Sequence, residues 1–143
     1  MLGPVVSMSS ISYDGRVFAA VTDTGHVGQA RGHFRQDGDF VRSDIRGGAV
    51  LGGTVVGRRQ TDGTIDAVYC MALRGGDLIA GSCRYEPVLL DDGRLRLAEH
   101  WRRIDGSSGV SHIEEVPAGG EIPPGGEIPL GGEVPLGGAA ERR

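Results

Sequence analysis

Glycine-containing dipeptides divide this chain into segments of similar length. Asp-Gly occurs at 14–15, 37–38, 62–63, 92–93 and 105–106, with Gly-Gly between them at 47–48 and 75–76. Asp-Gly between alternating segments is a strong sign of a β-hairpin, because tight hairpin turns need residues that tolerate positive φ. The alternation of the two dipeptides from residue 37 to residue 93 indicates an up-and-down antiparallel sheet.

The segments between these turns alternate apolar and polar residues, and none has a helical period with caps. We predict eight strands, at 15–21, 28–36, 39–46, 49–60, 64–73, 78–86, 94–103 and 109–116. With eight antiparallel strands the first and last are also antiparallel, so the sheet can close and leave no edge. The predicted fold class is all-β, an eight-stranded antiparallel up-and-down barrel of calycin-like type, filled by side chains or holding one small ligand.

Two parts of the chain differ in composition. Residues 1–116 are predicted to form the barrel domain, and residues 117–143 form a Gly/Pro-rich tail of hexapeptide repeats, with eight of the 26 glycines and five of the seven prolines. A proline in each unit supports neither a helix nor a ladder. We expect the tail to be a flexible extension, or else a lid or plug across the mouth that bears the Asp-Gly turns, or a segment packed on a neighbouring subunit.

Charge and composition narrow the classes of partner. The net charge is −4, and the fifteen basic residues, all arginine, are spread along the chain. This gives no electrostatic footprint for nucleic acid or for an anionic membrane. No apolar run reaches the length of a membrane span and no signal peptide is evident, so we expect a cytoplasmic protein. Cys70 and Cys83 are expected to be small buried hydrophobic residues, and the spacing of the four histidines favours no metal site.

Strand pairing predicts which side chains face the interior. A two-residue turn at 37–38 pairs Phe34 with Val41 inside the barrel. A two-residue turn at 62–63 pairs Val56 with Tyr69 inside. The same turn pairs Thr54 with Met71 inside and places Arg59 opposite Asp66 outside. In 94–103 the more apolar face carries Glu99 and Trp101, so both are expected inside. The faces of 78–86 and 109–116 are mixed and stay unassigned.

A carboxylate inside an apolar barrel is the sharpest candidate for chemistry. Burial beside an indole should raise the pKa of Glu99 and suit it to act as an acid or a base. The alternative is that Glu99 pairs with Arg58 or Arg103 and only stabilises the barrel.

Other candidates would shape the cavity around Glu99. Tyr69 and Tyr85 offer hydroxyls to a ligand, with Tyr69 the second catalytic candidate. Phe34, Met71 and Trp101 give the cavity its shape, and Arg58 and Arg103 are the arginines available to a ligand.

Several short motifs together resemble a family of small bacterial proteins labelled N-acetylglutamate synthase-like. They are YDGR (13–16), FRQDGD (34–39), the glycine-rich stretch ending at Arg58, DGRLRL (92–97), EHW (99–101) and SSGVSHIEEV (107–116). The resemblance implies a small β-barrel and brings no activity with it. The architecture is similar to calycins, allene oxide cyclases and polyketide-pathway cyclases, which implies an apolar molecule held inside.

The leading functional hypothesis is a cofactor-independent cyclase or isomerase, performing a 4+2 cycloaddition or related rearrangement on an apolar polyketide-type intermediate. Glu99 would polarise the substrate or transfer a proton, and Tyr69 and Tyr85 would orient the substrate. The alternative is a non-catalytic, lipocalin-like binding protein, and a third reading is a dimerising barrel with a filled core. No cofactor or metal is expected, and a homodimer is compatible with each reading.

Overall fold

The strands expected from the turn spacing are all present in the computed structural model, which describes residues 8–117. A 3-10 turn at Met8–Ser10 precedes the strands. They are β1 (Val17–Val21), β2 (Arg31–Asp37), β3 (Phe40–Gly47), β4 (Val50–Arg59), β5 (Ile65–Leu73), β6 (Leu78–Leu89), β7 (Leu95–Arg103) and β8 (Ser108–Glu115). Each pairs antiparallel with the next, and β8 pairs with β1. The predicted closed up-and-down barrel is therefore confirmed, while the predicted tail from 118 onward lies outside the described residues.

Four hairpins, from β4–β5 to β7–β8, share one type of turn. In the first, the Gly63 N–H donates to the Gln60 carbonyl (3.0 Å) and the Gln60 N–H donates to the Thr64 carbonyl (2.7 Å). Gly63 has a φ of +92°, as a three-residue loop ending in a left-handed glycine requires. The prediction of a two-residue Asp62-Gly63 turn is thus wrong, because Thr61 also belongs to the loop.

The aspartate before this glycine stabilises the turn. The Asp62 carboxylate accepts hydrogen bonds from the Thr64 N–H (3.0 Å) and the Thr64 hydroxyl (2.7 Å). Asp105 makes the same two contacts with Ser107, at 2.9 and 2.7 Å. Asp-Gly therefore marks these hairpins because the aspartate caps the loop and the glycine supplies the positive φ.

The extra loop residue reverses the face of β4. Val55, which is 2% exposed, pairs with Tyr69 inside the barrel, whereas Val56 is 39% exposed on the outside. Arg58, predicted to be an interior arginine, is exposed and lies opposite Asp66. A one-residue change in register moves every side chain of a strand to the other face, which explains the error.

The β2–β3 hairpin also turns one residue later than expected. Asp37 pairs with Phe40, so the turn residues are Gly38 and Asp39, and Phe34 lies opposite Ser43 instead of Val41. Gly38 has a φ of +61°, as the first turn position of a type II′ hairpin requires. The pairing shifts by two residues, so Phe34 keeps its predicted inward face.

Aromatic side chains fill one end of the barrel. We call the lower end the one that carries the β2–β3, β4–β5 and β6–β7 connections, and the upper end the other. Phe34 packs there with its ring centroid 4.9 Å from Phe18, 6.1 Å from Tyr85 and 6.2 Å from Tyr13. Tyr13 precedes β1 and is fully buried, and its hydroxyl donates to the Gly63 carbonyl at 2.6 Å. The segment before β1 therefore plugs the lower end.

Glycines on the strands make room for large inward side chains. Gly109 lies opposite Trp101, and a Cβ placed there would lie 2.5 Å from the indole Cζ2. Gly53 lies opposite Met71, and a Cβ placed there would overlap the Met71 Cγ. The barrel holds these two side chains only because the opposing positions lack one of their own.

Candidate functional site

A layer of polar side chains crosses the barrel interior at mid-height. Its members face inward from the middle of five strands: Ser43, Tyr69, Cys83, Glu99 and Ser111. We call this set the polar layer. The exposed fractions are 1% for Ser43 and Glu99, 4% for Tyr69 and 6% for Cys83. Polar groups buried this deeply are rare unless they bond to each other or to a ligand.

Glu99 lies at the centre of the layer, inside the barrel as predicted. It is opposite Tyr85 on β6 and Ser111 on β8. Burial raises the pKa of the Cys83 thiol to about 12, and the charge of Glu99 contributes to the rise. Burial also raises the pKa of Tyr85 well above its usual range, again with contributions from Cys83 and Glu99. The thiol and the phenol therefore stay protonated at neutral pH, next to the carboxyl group.

Tyr69 and Arg103 extend the layer toward the upper end. Gly81 separates them on the inner face, pairing with Tyr69 on one side and Arg103 on the other. Burial raises the pKa of Tyr69 to about 12, although the nearby Arg103 guanidinium opposes the rise. The Arg103 guanidinium also lies 5.3 Å from the centroid of the Trp101 ring, within cation–π range.

Trp101 links the layer to β8. Its Nε1 donates a hydrogen bond to the Ser111 hydroxyl at 3.1 Å, and the indole is 2% exposed. The faces of β6 and β8 were unassigned from sequence because both are mixed. The structure places Cys83, Tyr85 and Ser111 on the inner face.

Ser43, like Ser111, is a member of the layer that was not predicted from the sequence. Its hydroxyl is buried and has no hydrogen-bond partner among the described residues. It faces Val55, which in turn faces Tyr69, so the two hydroxyl-bearing side chains lie in one row of the inner face. The signal was present in the sequence, because Ser43 alternates with Val41 and Ile45, both of which belong to the interior.

The predicted site residues thus fall into three groups. Glu99, Tyr69, Trp101 and Arg103 come together in or beside the polar layer. Phe34 and Tyr85 belong to the aromatic cluster of Tyr13, Phe18, Phe34 and Tyr85 at the lower end, which we call the aromatic plug. Tyr85 also lies opposite Glu99 of the polar layer. Met71 is buried above the layer against Gly53. Arg58 lies outside the barrel and cannot contribute to an interior site.

Small side chains surround the upper end of the interior. Ala20 and Ala30 are each 1% exposed, and Gly32 is buried between Phe18 and Ile45. The β1–β2 connection at 22–30 lies at this end, where the Gly28 N–H donates a hydrogen bond to the Ala20 carbonyl (2.9 Å). Because Tyr13 and Phe34 fill the lower end, the upper end is the side from which a ligand would have to reach the polar layer.

The two cysteines differ in environment. Cys83 is buried as expected, but Cys70 is exposed on the outer face of β5, and both are free thiols. The described residues contain no group of three His, Cys, Asp or Glu side chains placed to hold a metal ion. Within the same residues, no helix has the length and apolar character needed to cross a membrane.

The fold and the site define a small closed β-barrel with one plugged end and a buried polar layer facing the other. The family described as Avidin-like protein matches residues 11–116, about three quarters of the chain, and the protein belongs to this avidin-like family. Comparison with curated proteins and with solved structures found no match. The resemblance noted above correctly implied a small barrel, but nothing in the comparisons names N-acetylglutamate synthase-like proteins or cyclases.

Proposed function

We propose that this protein binds a small molecule in the upper half of the barrel, above the polar layer. The observation that carries the proposal is the Ser43 hydroxyl, which is buried without a partner among the described residues. An unpaired buried hydroxyl costs about 1–3 kcal/mol, and a ligand that bonds to it recovers that cost. Membership of the avidin-like family is a second, independent observation that supports small-molecule binding.

The lining of the upper half indicates the chemistry of the ligand. Ile45 and Met71 supply apolar walls, each no more than 3% exposed. The polar layer beneath them offers hydroxyl groups that can donate or accept hydrogen bonds. Such a lining suits a mainly apolar molecule that carries one or two hydrogen-bonding groups at its inner end.

Binding can be followed by the fluorescence of Trp101, the single tryptophan of the chain. Medium- and long-chain fatty acids, linear polyenes and cyclic ureas would be titrated into the native protein. We expect at least one probe to shift or quench the emission with saturation at one molecule per barrel. A flat response to all three probe classes would instead support the filled-core reading.

A matched pair of variants locates the site. Ser43→Ala removes the inner hydroxyl, whereas Ser82→Ala removes an exposed hydroxyl from the outer face of β6. We expect Ser43→Ala to weaken binding of the responding probe about 5- to 10-fold, in line with the loss of one hydrogen bond. Ser82→Ala should bind as the native protein does. Equal affinities for both variants would place the ligand elsewhere.

A cyclase or isomerase activity is a second candidate, favoured by the burial of Glu99 next to Tyr85. A carboxyl group among protonated phenols is placed to move a proton within an apolar site. The test is to incubate the responding polyene with native protein and with Glu99→Gln and to analyse the products by mass spectrometry. A rearranged product formed by the native protein alone would support catalysis, and an unchanged polyene in both samples would leave binding as the function.

A further inference from the structure

One region of the outer barrel surface is apolar, and it extends from the middle of β4 and β5 to the start of β6 and the β7–β8 connection at the upper end. Its large side chains are strongly exposed: Leu51 55%, Val56 39%, Val68 59%, Leu78 81% and Ile104 85%. We call these five residues and the small side chains between them the apolar face. Contiguous apolar surface of this kind on a soluble protein marks a contact site.

Two grooves indent the apolar face. One, of about 470 Å³, has small residues along its base, including Gly52, Cys70 and Ala80, with Leu78 and Ile104 at its sides. The other, of about 490 Å³, shares Ala80 and Ile104 and continues to Arg102. Since the barrel is closed, the face offers no strand edge, and its occupant must dock through side chains.

We propose that the occupant is a segment of this same chain, the repeat units EIPLGG (127–132) and EVPLGG (133–138). Each unit presents an aliphatic residue and a proline in succession, Ile128-Pro129 and Val134-Pro135. Proline cannot extend a ladder, so these units are suited to dock by side-chain insertion into a groove. The shallow apolar grooves match that mode.

Charge supports the same occupant. None of the residues described as lining the two grooves is acidic, and Arg102 and Arg103 line the second groove. Arg102 is exposed, next to Ser82 on the neighbouring strand. Each repeat unit begins with a glutamate, Glu127 or Glu133, which is complementary to this arginine.

The distance from the end of the barrel to the grooves determines which repeat units can reach them. Strand β8 ends at Glu115 at the lower end, and β7, nine residues long, spans about 30 Å between the ends. Ile128 lies eleven positions beyond Pro117, a reach of roughly 35 Å when extended, whereas Ile122 lies five positions beyond it and has a reach of roughly 16 Å. The lower mouth, which is nearer to Pro117, is already plugged by Tyr13. The units from 127 onward are long enough to reach the grooves, whereas the unit that contains Ile122 is not.

Cys70 provides a direct test because it lies at the base of the first groove and is exposed in the barrel itself. Its alkylation by iodoacetamide would be measured at pH 8 in the full chain and in Ile128→Ser/Val134→Ser. We expect the double variant to react about 10-fold faster. Ile122→Ser is the matched control and should react as the native chain does. Cys83 is not expected to react with iodoacetamide, because it is buried and its pKa is raised to about 12.

Two further measurements test the proposal: the effect of charge reversal on Cys70 alkylation, and the dependence of that alkylation on protein concentration. Arg102→Glu should accelerate alkylation, whereas Arg35→Glu, an exposed arginine on β2, should not. A native chain whose Cys70 reacts at the rate of the double variant would overturn the proposal. Protection that rises with protein concentration and survives in Ile128→Ser/Val134→Ser would also overturn it, because a second copy would then cover the face.

Discussion

Tyr85 and Glu99 lie directly opposite each other on β6 and β7, inside the barrel, and each is 1% exposed. The phenol belongs to the aromatic plug below, and the carboxyl group belongs to the polar layer above. This pair therefore marks the boundary between the filled lower half of the barrel and the half in which we place the ligand.

The buried ionisable groups predict loss of stability at alkaline pH. Burial raises the pKa of Tyr69 from 10.0 to about 12 and that of Cys83 from 9.0 to about 12, and raises that of Tyr85 as well. The unfolded chain releases these protons first, so the stabilisation is complete below pH 9 and is lost as pH rises from about 9 to 12. Urea unfolding at several pH values would measure the loss.

The same experiment on Tyr69→Phe separates this phenol from the others. The variant cannot release the Tyr69 proton on unfolding, so its free energy of unfolding should fall less steeply between pH 10 and 12. A slope equal to that of the native protein would contradict the raised pKa of Tyr69.

The loop aspartates predict a loss of stability in acid. Hydrogen bonds from Arg94 lower the pKa of the Asp92 carboxyl below 3.8. Hydrogen bonds from Ser107 lower the pKa of the Asp105 carboxyl in the same way. Their contribution is present above pH 4 and is lost as pH falls through the lowered values. Asp92→Ala should reduce the melting temperature at pH 7, whereas the adjacent Asp91→Ala should leave it nearly unchanged. Equal melting temperatures would contradict the capping role.

The fit between Gly109 and Trp101 predicts that a single methyl group is not tolerated there. Gly109→Ala should destabilise the barrel by about 1–3 kcal/mol, because the indole cannot move away within a packed interior. Gly52→Ala is the matched control, since a Cβ at Gly52 meets nothing within 4 Å. Urea unfolding followed by Trp101 emission compares the two. A native-like Gly109→Ala would show that the indole has space.

The plug at the lower end predicts a role for one hydroxyl group. Tyr13→Phe removes the donor to the Gly63 carbonyl and leaves that acceptor without its partner. We expect a loss of about 1–2 kcal/mol in the free energy of unfolding. Probe binding at the upper end should be unaffected, and a parallel loss of binding at native stability would show that the two ends are coupled.

Much of the candidate site was open to prediction because alternation along β7 is strong. Leu95, Leu97 and Trp101 assign one face to the interior, and Glu99 lies on that face. Strands β6 and β8 carry no such contrast, so Cys83 and Ser111 could not be assigned. Arg58 was misplaced for a different reason, since one uncounted loop residue, Thr61, reversed the whole of β4.

The number of strands and their up-and-down order were predictable from the sequence alone, and so was a sheet able to close on itself. These follow from local chemistry, namely glycines that adopt positive φ and side chains that alternate between two faces. The register of β4 and the plugging of the lower end by Tyr13 became evident only in the folded barrel. These features depend on contacts between residues far apart in the chain, such as Tyr13 with Gly63, and a pattern of neighbouring residues does not indicate which distant residues will be in contact.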